Sequence, residues 1–331
     1  MADEPPNKAT PLRANLDLIQ VPQAGKPVDP ARFKPLLISE FPPPKAPRLV
    51  RGMIAHGDLI LIYGAWSCGK SFFTVDLSLS IAHGREWQGR STTSGAVIYV
   101  AGEGAGSIQR RVLAWSIDRG LIHKGDPPFG LIGRAPNLLR SDADPRALVD
   151  AARAFGERVG ELPALMVVDT LHAAAAGSKE DAEDTSKVLD HCRLIQDELG
   201  GIALALIHHS GKDAGKGARG SGSLEAAADV SIEIVEEEDH RAVIARKTRD
   251  SKLPDLDPFD IRGTVIAYDD QDEPVTAGFL VPVAPQASTR DPALQDQVRS
   301  MKAAGQSVRQ IATTLGLPKS TVSDWLRANR S

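Results

Sequence analysis

The 331-residue chain has little of what marks secreted, fibrous or membrane proteins. Its two cysteines, Cys68 and Cys192, are too few for a disulfide framework and favour a reducing compartment. No apolar run reaches the roughly 20 residues that a membrane-spanning helix needs. The start, MADEPPNKAT, shows no charged-then-apolar secretion signal, so we expect a cytoplasmic protein without membrane association. The 42% hydrophobic content is ordinary for a globular protein with one enzymatic core and a small extra module.

The chain also lacks a basic field as a whole, because its formal net charge is −4. Any contact with nucleic acid must therefore come from local basic patches. Residues 290–331 carry a charge of +4, which leaves −8 on residues 1–289. This asymmetry predicts a separate basic module at the C-terminal end.

Composition divides the chain into four segments. Residues 1–47 are rich in proline, which blocks helix continuation, and a short element is expected near Ala31–Ser39. Simple disorder and an extended arm that packs on a neighbouring subunit both fit this segment. Residues 48–283 are predicted to form the main domain. Residues 284–290 form a polar linker, and residues 291–331 form a small helical module.

The main domain alternates short apolar runs with helical stretches. Continuous apolar runs of strand length indicate burial on both faces, as in a parallel sheet covered by helices. The predicted strands are Leu59–Tyr63, Ala96–Val100, Leu165–Val168, Ile202–Ile207, Val230–Ile234, Ala242–Arg246 and Val265–Ala267. The predicted helices are Ser71–Ala82, Ala147–Val159 and Thr185–Leu199. The fold class is therefore predicted to be α/β with a mostly parallel, twisted sheet.

A phosphate-loop pattern follows the first of these strands. The sequence GAWSCGKS fits G-x-x-x-x-G-K-[ST] between a strand and a helix, where backbone N–H groups can surround phosphate oxygens. Lys70 would reach the β- and γ-phosphates, and the Ser71 hydroxyl would bind Mg²⁺. Cys68 is either a tolerated small residue or a redox switch. The predicted nucleotide-contacting residues are Gly64, Ala65, Trp66, Ser67, Cys68, Gly69, Lys70, Ser71 and Phe72.

Polar side chains follow three further strands, and strand ends at one edge of a parallel sheet share a crevice. Asp169 follows the apolar run LMVV and would hold Mg²⁺ with Ser71, or else serve as a helix N-cap. Glu103 lies between glycines and would activate a water that attacks the γ-phosphate, or else be an exposed turn carboxylate. His208 and His209 could contact the γ-phosphate or that water. A zinc site lacks partners at ligand spacing, and a structural histidine pair is the remaining alternative.

Two segments carry cations without an obvious structural role. The stretch 211–223 has five glycines and three cations, and either contacts a phosphate backbone or is a disordered surface loop. Lys247 and Arg249 follow a strand and could stabilise charge in the active site of an adjacent subunit, or simply form a basic strand end. The DNA contacts predicted in the glycine-rich loop are Lys212, Lys216 and Arg219.

The ordered set GAWSCGKS, VAGEG, LMVVDT, IHHSGK with RGSGS, and RKTR resembles the AAA_25 group of RecA-type ATPases. This group includes plasmid RepA-type hexameric replicative helicases, and the resemblance covers about residues 45–270. It implies ATP and Mg²⁺ at the phosphate loop, Glu103 as the catalytic carboxylate and Asp169 as the Walker B acid. It also implies that one of His208 and His209 senses the γ-phosphate.

The same resemblance implies a homo-oligomeric, hexameric ring with nucleotide at the subunit interfaces. Lys247 and Arg249 would then reach into the neighbour's nucleotide, and residues 173–187 and 211–223 would face a channel for single-stranded DNA. Family members often carry Asn between the two finger cations, whereas this chain has Thr248. That departure concerns the finger geometry and leaves the ATP site untouched.

The C-terminal module resembles a helix-turn-helix of the resolvase or Hin-recombinase type. Its apolar positions fall at helical spacing on both sides of Gly316-Leu317-Pro318, which breaks the first helix. The second helix would enter the major groove of duplex DNA, whereas a three-helix protein-binding bundle is the alternative. The predicted DNA contacts are Arg309, Lys319, Ser320, Thr321, Ser323 and Arg327.

Three functions fit these features. The first is an ATP-driven motor on DNA, a replicative helicase-like ATPase of a plasmid, phage or mobile element. The second is an ATP-switched helix-turn-helix regulator, and the third is a recombination-mediator ATPase. Glu103 favours turnover over a pure switch, because a switch needs no group that activates water.

Overall fold

A computed structural model of the chain describes residues 37–40, 48–179, 181–209, 221–249, 252–283, 292–315, 322, 325 and 326. The chain divides into two units, residues 1–45 and 46–331. In the first unit, Ile38–Glu40 forms a short 3-10 helix. The predicted DNA contacts that lie outside the described residues are Lys212, Lys216, Arg219, Lys319, Ser320, Thr321, Ser323 and Arg327.

The α-helices and strands described here belong to the second unit. The strands are β1 Arg48–Val50, β2 Ile54–Ala55, β3 Leu59–Gly64, β4 Ala96–Ala101, β5 Phe129–Ile132, β6 Pro163–Asp169, β7 Ala203–His209, β8 Val230–Glu236, β9 Arg241–Thr248, β10 Phe259–Tyr268 and β11 Pro274–Pro282. The helices are α1 Lys70–Ala82, α2 Ala105–Asp118, α3 Ala143–Val159, α4 Leu171–Ala174, α5 Ala182–Glu198, α6 Ser221–Ala227, α7 Pro292–Ala303 and α8 Val308–Leu315.

Within the described ranges, strands β3 to β11 form one sheet in the order β11-β10-β9-β8-β3-β7-β6-β4-β5. Pairing is parallel from β8 through β3, β7, β6 and β4 to β5. It is antiparallel from β8 through β9 and β10 to β11. The predicted α/β class with a mostly parallel sheet is confirmed. The short strands β1 and β2 pair with each other in a separate antiparallel ribbon.

Helices cover both faces of this sheet. Side chains alternate along a strand, so Ile60 and Ile62 of β3 join one buried cluster, whereas Leu61 joins the other. The first cluster includes Phe73 of α1 and Trp115 of α2, and residues of α3 and α5 complete the second. The described helices include none that is long and apolar enough to cross a membrane.

The antiparallel side of the sheet differs most from the sequence-based prediction. The prediction placed a strand at Val265–Ala267, whereas β10 runs from Phe259 to Tyr268 and forms a hairpin with β11. Much of β10 is exposed, so it shows no continuous apolar run that would have marked it as a strand. Helix α2 and strand β5 were also absent from the prediction, and neither carries a strong apolar pattern.

The C-terminal helices α7 and α8 have a small apolar cluster of their own, built from Val298, Ile311, Ala312 and Val322. Ser307 precedes α8, and its hydroxyl accepts a hydrogen bond from the Gln310 backbone N–H at 3.3 Å. The Gln310 side chain in turn accepts a hydrogen bond from the Ser307 N–H at 2.9 Å. This reciprocal cap fixes where α8 begins.

Candidate active site

The carboxyl ends of four neighbouring parallel strands meet at one edge of the sheet. Gly64 at the end of β3 pairs with His209 at the end of β7. Asp169 at the end of β6 pairs with Ile207 of β7 on one side and with Ala101 of β4 on the other. Of the residues predicted to carry chemistry, those that follow β3, β4, β6 and β7 therefore lie at adjacent strand ends.

The loop between β3 and α1 is held closely by the surrounding backbone. A Cβ added at Gly64 would lie 2.3 Å from the Ile234 carbonyl oxygen, so this position has no room for a side chain. Gly69 has φ +100°, and a Cβ there would lie 2.9 Å from the Phe259 ring. Both glycines of the phosphate-loop pattern are therefore required by the local packing.

Lys70 is folded back into this loop. Its Nζ donates hydrogen bonds to the carbonyl oxygens of Gly64 at 3.0 Å and Ala65 at 2.6 Å, and lies 3.7 Å from the Cys68 sulfur. The side chain is only 4% exposed, and burial lowers its pKa. No carboxylate among the described residues forms an ion pair with it, so the loop holds a buried cation that suits an incoming anion.

A hydrogen-bonded chain connects the loop to Asp169. The Tyr99 hydroxyl donates to Asp169 Oδ2 at 2.6 Å, and the Thr74 hydroxyl lies 3.0 Å from the Tyr99 hydroxyl. Since Tyr99 donates to Asp169, the single Thr74 hydroxyl proton is shared between the Tyr99 oxygen and the Lys70 carbonyl oxygen, which is also 3.0 Å away. The chain therefore fixes the carboxylate relative to the first turn of α1.

Asp169 is 5% exposed, and its burial raises the pKa of the carboxyl group. The nearby Ser71 hydroxyl acts in the opposite direction and lowers that pKa. Hydroxyl and carboxylate oxygens are ligands that Mg²⁺ prefers, so these two neighbouring residues fit the predicted metal site.

Glu103 lies in the turn after β4, beside Asp169. The Gly102 N–H donates to the Asp169 carbonyl oxygen at 2.6 Å, which joins the two strand ends. A Cβ at Gly102 would lie 2.8 Å from the Ala173 Cβ, so glycine is needed for this close approach. Glu103 itself is exposed. Its carboxylate can therefore contact a water molecule from the solvent.

The two histidines at the end of β7 face opposite sides of the sheet, because side chains alternate along a strand. His208 lines a cavity of about 60 Å³ with His172, Leu171 and Leu224. The His209 ring instead stacks on the Trp66 ring of the phosphate loop, with centroids 4.0 Å apart. Of the two predicted sensor histidines, His209 is the one at the phosphate loop.

Lys247 and Arg249 lie near the amino ends of the parallel strands, whereas the phosphate loop lies at their carboxyl ends. Lys247 Nζ donates to the carbonyl oxygens of Glu225 at 3.1 Å and Ala226 at 2.7 Å, at the end of α6. Arg249 forms an ion pair with Asp229 at 2.7 Å. Neither cation therefore contributes to the crevice at the phosphate loop.

The structure adds residues that the sequence analysis missed. Tyr99 was counted only as part of an apolar strand, although a phenol in a fully buried strand signals a buried hydrogen-bond partner. Arg111 of α2 lies over the Phe72 ring at 4.0 Å and is a further cation near Asp169, whose pKa it lowers. Phe72, predicted to contact nucleotide, packs between Arg111 and the region of Gly278 in β11.

The comparisons with known proteins concern the same region of the chain. The AAA_25 family, described as an AAA domain, matches residues 27–215. No curated protein sequence matches the chain.

Two solved structures are similar to part of the chain. One is an ATPase domain, with 13% identity and a TM-score of 0.45 over 61% of this chain and 80% of that one. The other is a KaiC-like protein from the hyperthermophilic archaeon Pyrococcus horikoshii OT3, with 16% identity and a TM-score of 0.42 over 64% and 89%. Because the family match spans more than half of its residues, the chain belongs to the AAA_25 family of AAA domains.

Proposed function

We propose that the protein is a cytoplasmic, Mg²⁺-dependent ATPase of the RecA type that works on DNA as a ring-shaped motor. The observation that carries this proposal is the buried Lys70 in a glycine-bounded loop, close to Ser71 and to the buried Asp169. A buried lysine whose oxygen partners are backbone carbonyls suits exchange of those partners for phosphate oxygens.

Each residue of the crevice has a separate task in this proposal. Backbone N–H groups of residues 64–71 and the N-terminus of α1 bind the phosphates of ATP. Ser71 and Asp169 would hold Mg²⁺, which supplies positive charge to the β- and γ-phosphate oxygens. Tyr99 keeps the Asp169 carboxylate oriented through its 2.6 Å hydrogen bond.

Glu103 is the group proposed to act on water. It accepts a proton as the water oxygen bonds to the γ-phosphorus, and the bond from that phosphorus to the bridging oxygen of ADP breaks. The products are ADP and inorganic phosphate. His209, neutral at pH 7 because burial and nearby Lys70 lower its pKa to about 4, contacts the γ-phosphate or the attacking water.

Hydrolysis is tested by substituting Lys70 with alanine. We expect Lys70→Ala to abolish Mg²⁺-dependent ATP hydrolysis and to weaken ATP binding measured by calorimetry. Lys124→Ala is a matched control, because that lysine is exposed in the turn after α2 and belongs to none of the proposed sites. Full hydrolysis by Lys70→Ala would refute the assigned site.

The finer proposal is a replicative helicase-like motor of a plasmid, phage or mobile element, assembled as a hexamer. Its support is the AAA_25 membership, the basic composition of residues 211–223 and the helical module after residue 290. Residues 211–223 would contact single-stranded DNA in the channel, and Arg309 with the following helix would contact duplex DNA.

A forked-duplex unwinding assay separates the motor from its alternatives. Strand separation that requires ATP would support the helicase. ATP hydrolysis without strand separation would favour an ATP-switched helix-turn-helix regulator, for which the capped helix α8 is the supporting observation. Hydrolysis that accompanies coating of single strands would favour a recombination mediator.

A further inference from the structure

The phosphate loop carries an aromatic side chain, Trp66, that is not packed into the core. Trp66 is 67% exposed, yet its ring lies parallel to that of His209, with 4.0 Å between centroids and 1° between planes. An exposed tryptophan stacked on one partner is held by that partner rather than by a core. The stack joins the phosphate loop to the last residue of β7, which pairs with Gly64 in the sheet.

The stack also determines how the His209 ring is oriented. A histidine ring is usually oriented by a hydrogen bond at one of its nitrogens. In the part of the chain that the structure describes, His209 Nδ1 is covered and has no hydrogen-bond partner. The indole face of Trp66 is therefore the contact that sets the plane of the imidazole.

The charges around the ring agree with such a stack. Burial, Lys70, His208 and His172 together lower the pKa of His209 to about 4. At neutral pH the ring is thus uncharged, and it can lie against the indole without removing a charge from water.

We propose that Trp66 is a positioning residue, whose indole holds the His209 imidazole beside the phosphate loop for contact with the γ-phosphate of bound ATP. This inference rests on the proposed ATPase function. It gives Trp66 a side-chain role beyond the backbone contacts that any residue of the loop could supply. The indole acts on turnover through His209 and does not itself bind the adenine base.

The first test separates kcat from KM. Trp66→Ala should lower kcat roughly 3- to 10-fold, as expected for loss of one aromatic stack, and leave KM for ATP within about twofold. Trp66→Phe keeps an aromatic face and should restore kcat to within about twofold of the wild type. Tyr268→Ala, which removes an exposed aromatic ring from β10, is the control and should behave as the wild type.

A double substitution tests whether Trp66 acts through His209. In a His209→Ala background, Trp66→Ala should cause no further loss of kcat. An equal loss in both backgrounds would overturn the proposal. So would a rise in KM for ATP with unchanged kcat, because that result is expected of an adenine platform.

Fluorescence tests the stack in the intact protein. The emission of Trp66 is the difference between the wild type and Trp66→Phe, and it should change on addition of a nonhydrolysable ATP analogue and in His209→Ala. An emission that responds to neither would contradict the proposal even where Trp66→Ala folds poorly.

If the wild type shows Lys70-dependent hydrolysis but Trp66→Ala has the same kcat as the wild type, only this inference fails. If the wild type shows no such hydrolysis, the proposed function itself fails.

Discussion

The position of Arg249 leads to a quantitative prediction about subunit mixing. Val230 of β8 pairs with Thr248 of β9, and Ile234 pairs with Gly64 of β3. Thr248 is four residues of strand rise from the level of Gly64 and Arg249 is five, or about 16 Å, and two strand spacings add about 10 Å across the sheet, so Arg249 begins roughly 19 Å from its own phosphate loop. An extended arginine side chain reaches roughly 7 Å from its Cα, given bond lengths near 1.5 Å. Arg249 therefore cannot serve the nucleotide of its own subunit.

In the proposed ring, where Arg249 would serve the neighbour's nucleotide, Arg249→Ala should lower hydrolysis at every interface by about 1,000-fold or more. Lys70→Ala should be inactive as well, for a different reason. In an equal mixture that exchanges subunits, about one quarter of the interfaces combine an intact Lys70 with an intact neighbouring Arg249. The mixture should therefore recover about one quarter of the wild-type rate if interfaces act independently.

The assay is steady-state phosphate release after the two variants have been mixed under conditions that permit exchange. The control mixture combines Lys70→Ala with Arg153→Ala, which removes a surface arginine of α3. Unlike Arg249→Ala, the Arg153→Ala variant should be active before mixing. Because Lys70→Ala lacks its own site, no recovery in the mixture would refute a finger that acts between subunits. A mass measurement of the mixed assemblies shows whether subunits have exchanged. If they have and hydrolysis does not recover, the role of Arg249 is its structural ion pair with Asp229.

Three further predictions concern packing. Gly64→Ala should abolish ATP binding and lower the unfolding free energy by about 3 kcal/mol, since its Cβ meets backbone at 2.3 Å. Gly89 also has a positive φ, +66°, but open space around it, so Gly89→Ala should lower the unfolding free energy by only about 1 kcal/mol. Urea unfolding measures both variants, and equal losses of unfolding free energy would contradict this reasoning. Arg119→Met leaves the buried Asp76 without its 2.9 Å ion pair and should cost about 3 kcal/mol at neutral pH. Since burial already raises the pKa of Asp76, the deficit should shrink as falling pH protonates it; a pH-independent deficit would argue against that cause. Trp325→Ala should weaken binding to a mixed-sequence duplex at low salt, because Trp325 packs on the C-terminal cluster, and should leave ATP hydrolysis unchanged; anisotropy and phosphate release measure the two.

Much of the candidate site was predictable because its strands are buried over most of their length. Strand β6 is buried at every position and ends in Asp169, so a continuous apolar run located both the strand and its terminal carboxylate. The same argument located β3, β4 and β7 to within two residues at each end. The phosphate loop then followed from the pattern GAWSCGKS and its place between a predicted strand and a predicted helix.

The rest could not be predicted because it depends on contacts between distant parts of the chain. The hydrogen bond from Tyr99 to Asp169 joins positions 70 residues apart, and no local pattern signals it. The stack of Trp66 on His209 and the ion pair of Arg249 with Asp229 depend in the same way on strand order. The sequence singled out Lys247 and Arg249 as candidate finger residues, whereas their location at the amino end of the neighbouring parallel strand β8 depends on strand pairing.

The phosphate loop extends from a strand in the interior of the sheet. Strand β3 is hydrogen-bonded on both sides, to β7 and to β8, and the sheet ends at β5 and β11. Local opening begins where backbone groups have the fewest partners, and amide protons of an interior strand exchange with solvent only in rare, large openings. The outer strands β5 and β11 can thus open locally while the strand that anchors the phosphate loop stays closed.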